Sequence, residues 1–407
     1  MTSEGGTMRS YHLLVTVVGG TGHVFPALGT VSELVRMGHR VTVVTSADFA
    51  DAVSGAGAAL VTYRSAFEDF HVPDVMDAEN AEELLNNVYI EDNEAILRAA
   101  EQAAELDKPD AVLYDVFHFI AGKLLATKLN CPGVRLSPIF AANETYSVWE
   151  HLRQNLNQGY PEDFDSTREH ITRLLAEFGV DETIRQFWDG IDDFNIVSIP
   201  RSFQIAEESF DERFVFTGPT IETSRLDQQE WRPPPGDPQI LLVSLGSTWN
   251  EHPDFFQACV RAFDGTPWHV VLVIGERLDP AVLGELPPNI EVHQWISFLD
   301  VLRYASVFVT QGSTGAVMES LYRGCPMLLF SHFTAEAEVS AGRVVEMGLG
   351  RALAADIGAE ELRKAVSDIA ADEEVRRRIE DIRREIHGSG GAARAAVEIV
   401  DYIGRSS

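Results

Sequence analysis

Along the chain, apolar runs of strand length alternate with stretches whose apolar residues recur every three or four positions. That alternation predicts parallel sheets covered by helices on both faces. In the first half, residues 13–18, 40–45, 60–63, 111–114, 133–136, 195–198 and 214–217 predict strands. Between the first two, Val24, Leu28, Val31, Leu34 and Val35 fall on one face of a helix, and Gly38 stands where a C-terminal glycine is expected. The pattern stops at residues 218–238, which hold Pro219, charges and amides, then Pro233, Pro234 and Pro235. A stiff, polar stretch of this kind predicts an interdomain linker. The alternation then resumes, with strands predicted at 240–245, 270–274, 291–295, 307–310 and 327–330, and helices at 253–263, 298–304, 314–322 and 337–346. Residues 358–403 read as helical and charged, with a Gly-rich break at 388–391. The expectation is an α/β protein of two tandem Rossmann-like, doubly wound domains. The first covers 1–218, a linker 219–237, the second 238–387, and a helix over 388–407 packs back toward the first domain. Ligands of such domains lie at the carboxyl ends of strands. Two that face each other would place a site in the cleft between them.

Charge narrows the possible partners. The formal net charge over 407 residues is -31, which excludes a nucleic-acid backbone or an anionic membrane surface as the main partner. An anionic ligand would have to be held locally, by backbone N–H groups and a helix N-terminus. The three cysteines, Cys131, Cys259 and Cys325, are widely spaced and form no CxxC pair. Neither a disulfide framework nor a zinc site is suggested, and a reducing cytoplasm fits. No apolar run reaches membrane-spanning length, and the apolar stretch 11–20 lacks the features of a signal peptide.

Candidate chemistry begins where the first strand runs into Gly19-Gly20-Thr21-Gly22-His23-Val24-Phe25-Pro26. The glycines allow a sharp turn and close approach to a ligand. The pattern fails GxGxxG, and no acid closes the second strand, so a dinucleotide site is disfavoured. His23 either points into a cleft as a base or hydrogen-bonds a helix end. Asp115, at the end of the run 111–114, either orients an imidazole on the same rim or caps the helix that follows. His118 competes with His23 for that acid.

In the second half the stretch Trp295-Ile296-Ser297-Phe298, then Phe308 to Glu319, then Gly324-Cys325-Pro326-Met327, resembles the donor-binding signature of inverting nucleotide-sugar glycosyltransferases. The spacings from Trp295 to Gln311 and from Gln311 to Glu319 are similar to those of the bacterial macrolide-modifying branch. Gly22-His23, Leu113-Tyr114-Asp115, Phe216 to Pro219 and Val243 to Ser247 match it too, so the likeness covers nearly the whole chain. It implies a GT-B fold with His23 as catalytic base and Asp115 as the acid that orients it. It also implies a donor site of Gly22, Ser247, Thr248, Trp295, Gln311, Gly312, Ser313, Thr314, Gly315 and Glu319. There Trp295 stacks the base, the loop from Gln311 to Gly315 holds the diphosphate, and Glu319 accepts ribose hydroxyls. Read singly, Trp295 fits a core position and Glu319 a solvated helix face.

Several positions depart from the family. Gln311 stands for its histidine, Ser313 for its glycine and Ser297-Phe298 for its Pro-Gln. Its sugar-gripping Asp-Gln is replaced within residues 334–338, where Glu336 is the surviving acid. A deoxysugar or altered hexose is therefore the expected donor sugar. Phe70, Tyr89, Phe117, Phe140 and Trp149 are candidates for the wall of an apolar acceptor pocket. The resemblance implies transfer from a UDP- or TDP-sugar to a hydroxylated macrolide, polyketide or phenol by a monomer or homodimer, with no cofactor and no metal. Asp163-Phe164-Asp165 is a formal DxD, read here as a solvated loop. Two rivals are a peptidoglycan-type GlcNAc transferase, suggested by Gly19 to Ala27, and a non-catalytic sugar-nucleotide binder.

Overall fold

The computed structural model describes residues 9–68, 78–148, 150, 160–227, 230–246, 251–330 and 335–406. The chain divides into two units. One comprises Met1–Ser198, Glu208–Glu222 and Gly391–Ser407, the other Ile199–Glu207 and Thr223–Gly390.

In chain order the first unit contains β1 (His12–Thr16), α1 (Thr21–Arg36), β2 (Arg40–Thr45), α2 (Ala50–Gly55), β3 (Ala59–Thr62), α3 (Ala78–Leu106) and β4 (Ala111–Asp115). It continues with α4 (Phe119–Leu129), β5 (Gly133–Ser137), α5 (Asp165–Glu177), α6 (Ile184–Asp189), β6 (Asn195–Val197) and β7 (Phe214–Phe216). The strands form one sheet in the order β3-β2-β1-β4-β5-β6-β7. β1 pairs in parallel with both β2 and β4. β1 and β4 are buried throughout, as continuous apolar strands covered on both faces must be.

α1 starts after the extended Gly20 and ends near Gly38, whose φ of 91° only glycine adopts without strain. Its Val24, Leu28, Val31 and Leu34 pack with Leu13 and Val15 on one face of the sheet. The last helix of the chain, Gly391–Ser406, packs against them through Ala395, Ala396, Ile399 and Ile403. The other face carries α3, α4 and α5 through Ile90, Ile96, Leu97, Leu124 and Leu174.

The second unit runs through α7 (Thr223–Asp227), β8 (Gln239–Ser244), α8 (Pro253–Phe263), β9 (Trp268–Val273), β10 (Ile290–His293), α9 (Phe298–Leu302) and β11 (Ala305–Thr310). Then come α10 (Thr314–Arg323), β12 (Met327–Leu329), α11 (Ala335–Glu346), β13 (Gly350–Ala352), α12 (Ala359–Ala370) and α13 (Glu373–Gly388); the last helix, already placed in the first unit, is α14. The sheet order is β10-β9-β8-β11-β12-β13. Both orders reverse direction beside the first strand of the unit, which is the topological switch point where such sheets take ligands.

The stretch 223–237 is more structured than its composition predicts. It holds α7, and Trp231 is buried with its indole N–H donating to Glu291 at 2.5 Å. Residues 199–207, expected in the first domain, go with the second unit: Arg343 donates to the carbonyls of Ser202 (2.8 Å) and Phe203 (3.1 Å), and Ser202 Oγ donates to Glu385 (2.5 Å). The DxD stretch is not a loop. Asp163 closes a 3-10 turn and Asp165 opens α5, where it pairs with Arg168. Among the described residues no helix is long and apolar enough to cross a membrane.

Candidate active site

β1 and β4 lie side by side, so the residues that leave their carboxyl ends meet. His23, in the first turn of α1, places Nδ1 2.7 Å from Asp115 Oδ2. The Asp115 side chain is 2% exposed and that of His23 18%. A carboxylate so buried needs partners, and its second oxygen accepts the Phe117 N–H at 2.8 Å. Asp115 therefore does both jobs that the sequence left open: it caps the turn that begins at Val116, and it holds the imidazole. With Nδ1–H donated to a carboxylate, the lone pair of the ring lies on Nε2. The Phe117 ring meets the imidazole edge-on, with centroids 4.8 Å apart.

The rival histidine is excluded by burial. His118 is 1% exposed, and its Nε2 lies 2.9 Å from Asp92 of α3. Asp92 also accepts from Ser65 Oγ (2.6 Å) and the Ala66 N–H (2.9 Å). Burial works to raise the Asp92 carboxyl, but the hydrogen bonds from His118, Ser65 and Ala66 outweigh it and hold it below the ordinary range. Beside it, Asn93 Nδ2 donates to the Phe117 carbonyl at 3.0 Å. Helix α3 thus fixes the turn that carries Asp115.

This gives a stability prediction. A carboxyl lowered in the folded state adds stability above its unfolded value of about 3.9, and the gain is lost as pH falls through the folded value. Asp92→Ala should reduce unfolding free energy by about 3 kcal/mol or more at pH 7, because it strands His118 in the core. Urea melts at pH 7 and pH 3.5 check it. A variant as stable as the parent at pH 7 would show that the pair is dispensable.

The glycine loop divides by role. A Cβ on Gly19 would meet Ser46 Oγ at 2.7 Å, so that glycine serves packing. Cβ atoms on Gly20 and Gly22 would meet nothing within 4 Å, so bare backbone at Gly22 lies open to a ligand.

The second unit repeats the arrangement. β8 and β11 are parallel neighbours, and the loops leaving them converge. Gly246, with φ 84°, sits so close to Gln311 that a Cβ would come within 2.3 Å of Nε2. Gln311 is 7% exposed, and its Oε1 has no hydrogen-bond partner among the described residues. Gly312 has φ 92° and packs tightly on Ala341 and Leu329. Ser313 is the N-cap residue of α10 and its side chain makes no capping bond. Helix α10 opens at Thr314, and the N-terminus of a helix leaving a strand end suits an anion. Thr314 is buried.

Glu319, one turn on, receives a hydrogen bond from Arg225 Nη2 of α7 at 3.1 Å. Burial raises the Glu319 carboxyl above its ordinary range, and the guanidinium opposes that rise. Trp295, two residues past β10, is 58% exposed, so it is not a core residue. A large aromatic left in solvent can serve as a stacking platform. Sequence reasoning missed Arg225, because the segment read as linker.

Not every candidate joins these groups. Phe70, Trp149, Ser247 and Thr248, and the side chain of Glu336, lie outside the described residues. Two aromatics proposed for an acceptor wall have other surroundings. Tyr89 packs on the core against Trp188, with ring centroids 6.0 Å apart, and Phe140 is 2% exposed. Of the described candidates, Phe117 is the one in contact with the imidazole. Among the described residues no group of three or more His, Cys, Asp or Glu is arranged to hold a metal ion.

The chain is also similar to known proteins along nearly its whole length. Residues 260–400 match the family described as erythromycin biosynthesis protein CIII-like, C-terminal domain. The chain is 34% identical to the oleandomycin glycosyltransferase of Streptomyces antibioticus, over 95% of this chain and 89% of that protein. It is 33% identical to the NDP-glycosyltransferase YjiC of Bacillus licheniformis, over 97% and 98%. Among solved structures, the calicheamicin glycosyltransferase CalG4 superimposes with a TM-score of 0.89 at 50% identity, over 98% of this chain and 99% of that one.

Proposed function

Because the chain belongs to the GT-B glycosyltransferases, in their macrolide and natural-product branch, we propose that it transfers a sugar with inversion from a UDP- or TDP-sugar to a hydroxyl of a small apolar natural product. The observation that carries the reading is the His23–Asp115 contact of 2.7 Å at the switch point of the first sheet, with the imidazole partly exposed. A protein that only bound nucleotide sugars would have no use for an oriented base.

The reaction is a single displacement. The acceptor oxygen forms a bond to the anomeric carbon as the bond from that carbon to the diphosphate oxygen breaks. His23 Nε2 takes the hydroxyl proton, and the buried Asp115 carboxylate stabilises the imidazolium through Nδ1. The leaving diphosphate carries the charge released. The N–H groups that open α10, with the neutral amide of Gln311, stabilise it, so no lysine cluster is required on this acidic chain. Trp295 stacks the base and Glu319 accepts ribose hydroxyls. Loss of the family's Asp-Gln, with Glu336 remaining, supports a donor sugar with fewer hydroxyls. Phe117, beside the base, belongs to the acceptor side. No step calls for a metal.

The test is a mass-spectrometric screen of UDP- and TDP-sugars against macrolide, polyketide and phenolic aglycones, with and without EDTA. The expected outcome is one glycosylated product, formed at the same rate in both arms and with inverted anomeric configuration by NMR. Donor binding with no transfer to any acceptor would overturn the reading in favour of a binding protein. Loss of activity with EDTA would overturn its metal-free mechanism.

A further inference from the structure

Glu319 is largely enclosed, and it belongs to the helix whose N-terminus suits an anion. Its hydrogen-bond partner comes from far away in sequence: Arg225, 94 residues earlier, on the short helix α7. The two side chains are 13% and 18% exposed, so this is not one of the solvated surface pairs that contribute little. The bond engages Oε1 alone, and no hydrogen bond among the described residues occupies Oε2. A carboxylate held at one oxygen and open at the other is a fixed acceptor.

We propose that Arg225 is a positioning residue of the nucleotide site, which holds Glu319 by one oxygen and thereby presents the other to the ribose of the donor. This deepens the function proposed above and rests on its assignment of Glu319 to the ribose.

The surroundings leave that task to Arg225. Arg323, on the same helix, spends its Nε on the Leu299 carbonyl. On α9 and just after it, Asp300 accepts from the Glu230 N–H, and Arg303 donates to the Leu226 carbonyl. On α13, Arg383 and His387 both reach the Tyr322 carbonyl. On α11, Arg343 is bonded to Ser202, Phe203 and Glu346. Burial alone pushes Glu319 toward its protonated form, and Arg225 is the largest influence against it. A protonated Glu319 would lose most of its ability to accept from two hydroxyls. Removing the guanidinium should therefore weaken nucleotide binding and make it sensitive to pH, worse at pH 6 than at pH 8. A merely structural arginine would not give that sign of pH dependence.

The experiment is calorimetric titration of UDP and TDP into the full-length protein between pH 6 and pH 8, with four forms compared. The parent should bind with little change across the range. Arg225→Ala should raise Kd by about tenfold at pH 7, the size of one charge-assisted hydrogen bond, and more at pH 6. Arg225→Lys, which keeps a cation and guards against a folding artefact, should recover most of the affinity and the flat profile. Glu319→Gln should bind weakly at every pH. Arg225→Ala with parental Kd and a flat profile, beside a weakened Glu319→Gln, would overturn the proposal and leave the ribose assignment intact. Glu319→Gln with parental affinity would overturn the ribose assignment itself, and the proposal with it.

Discussion

Replacing His23 with alanine is expected to lower kcat by about 100- to 10,000-fold, the range that general base catalysis contributes, while the nucleotide Kd stays within about twofold of the parent. The expectation follows from where the imidazole sits. It leaves the first turn of α1 at the end of β1, and its Nδ1 lies against Asp115 of the same unit. Removing it takes away the proton acceptor, whereas α10, Gln311 and Trp295 belong to the other unit. Each decade in rate corresponds to about 1.4 kcal/mol of lost transition-state stabilisation. Single-turnover kinetics beside calorimetry separates the two effects. Near-parental turnover would end the assignment of His23 as base, and weakened nucleotide binding with unchanged kcat would give it a different task.

The second large effect is expected at Asp115, where the more conservative substitution should be the more damaging. In the parent, Oδ1 accepts the Phe117 N–H and Oδ2 faces His23 Nδ1. In Asp115→Asn the N–H of Phe117 selects the amide oxygen for its own side, which turns the amide NH2 toward His23. The imidazole must then accept at Nδ1 and carry its proton on Nε2, the tautomer that cannot act as base. In a serine-protease triad the same exchange costs about 10,000-fold; here a fall of about 100- to 10,000-fold in kcat is expected. Asp115→Ala leaves the ring free to choose its tautomer and should retain more activity. A pair that acts as a unit is not additive, so His23→Ala with Asp115→Asn should be no slower than His23→Ala alone. If Asp115→Asn were faster than Asp115→Ala, the tautomer argument would be wrong.

What was legible in the sequence follows from what periodicity reports. The central strands are continuous apolar runs, and they appear within a residue or two of their predicted places. Helix α8 occupies the very residues, 253–263, that its apolar spacing indicates. The switch-point loops stood out because glycines interrupt those runs. Other features depend on contacts between distant segments. Helix α3, 29 residues long, went unread because its core positions Ile90, Ile96 and Leu97 are diluted by acids and amides. With it went Asp92, and with Asp92 the means of telling His118 from His23. Strand β13 is three residues long, too short to show a period. Tyr89 and Phe140 are aromatic in a region where aromatics serve both core and surface, and composition does not separate the two uses. The meeting of Gly246 with Gln311 depends on β8 lying beside β11, which is a matter of topology, and Arg225 was hidden in a stretch whose prolines spoke louder than a single half-buried arginine.

The placement of α14 bears on how such enzymes can be recombined. Its Ala395, Ala396, Ile399 and Ile403 are completely buried in the core of the first unit, although the preceding helix belongs to the second. A hybrid made by joining the front half of one enzyme to the back half of another would import a foreign helix into a native core, with mismatched volumes at four buried positions. The better graft exchanges residues 199–207 and 223–390 together, so that each front half keeps its own sixteen-residue helix α14.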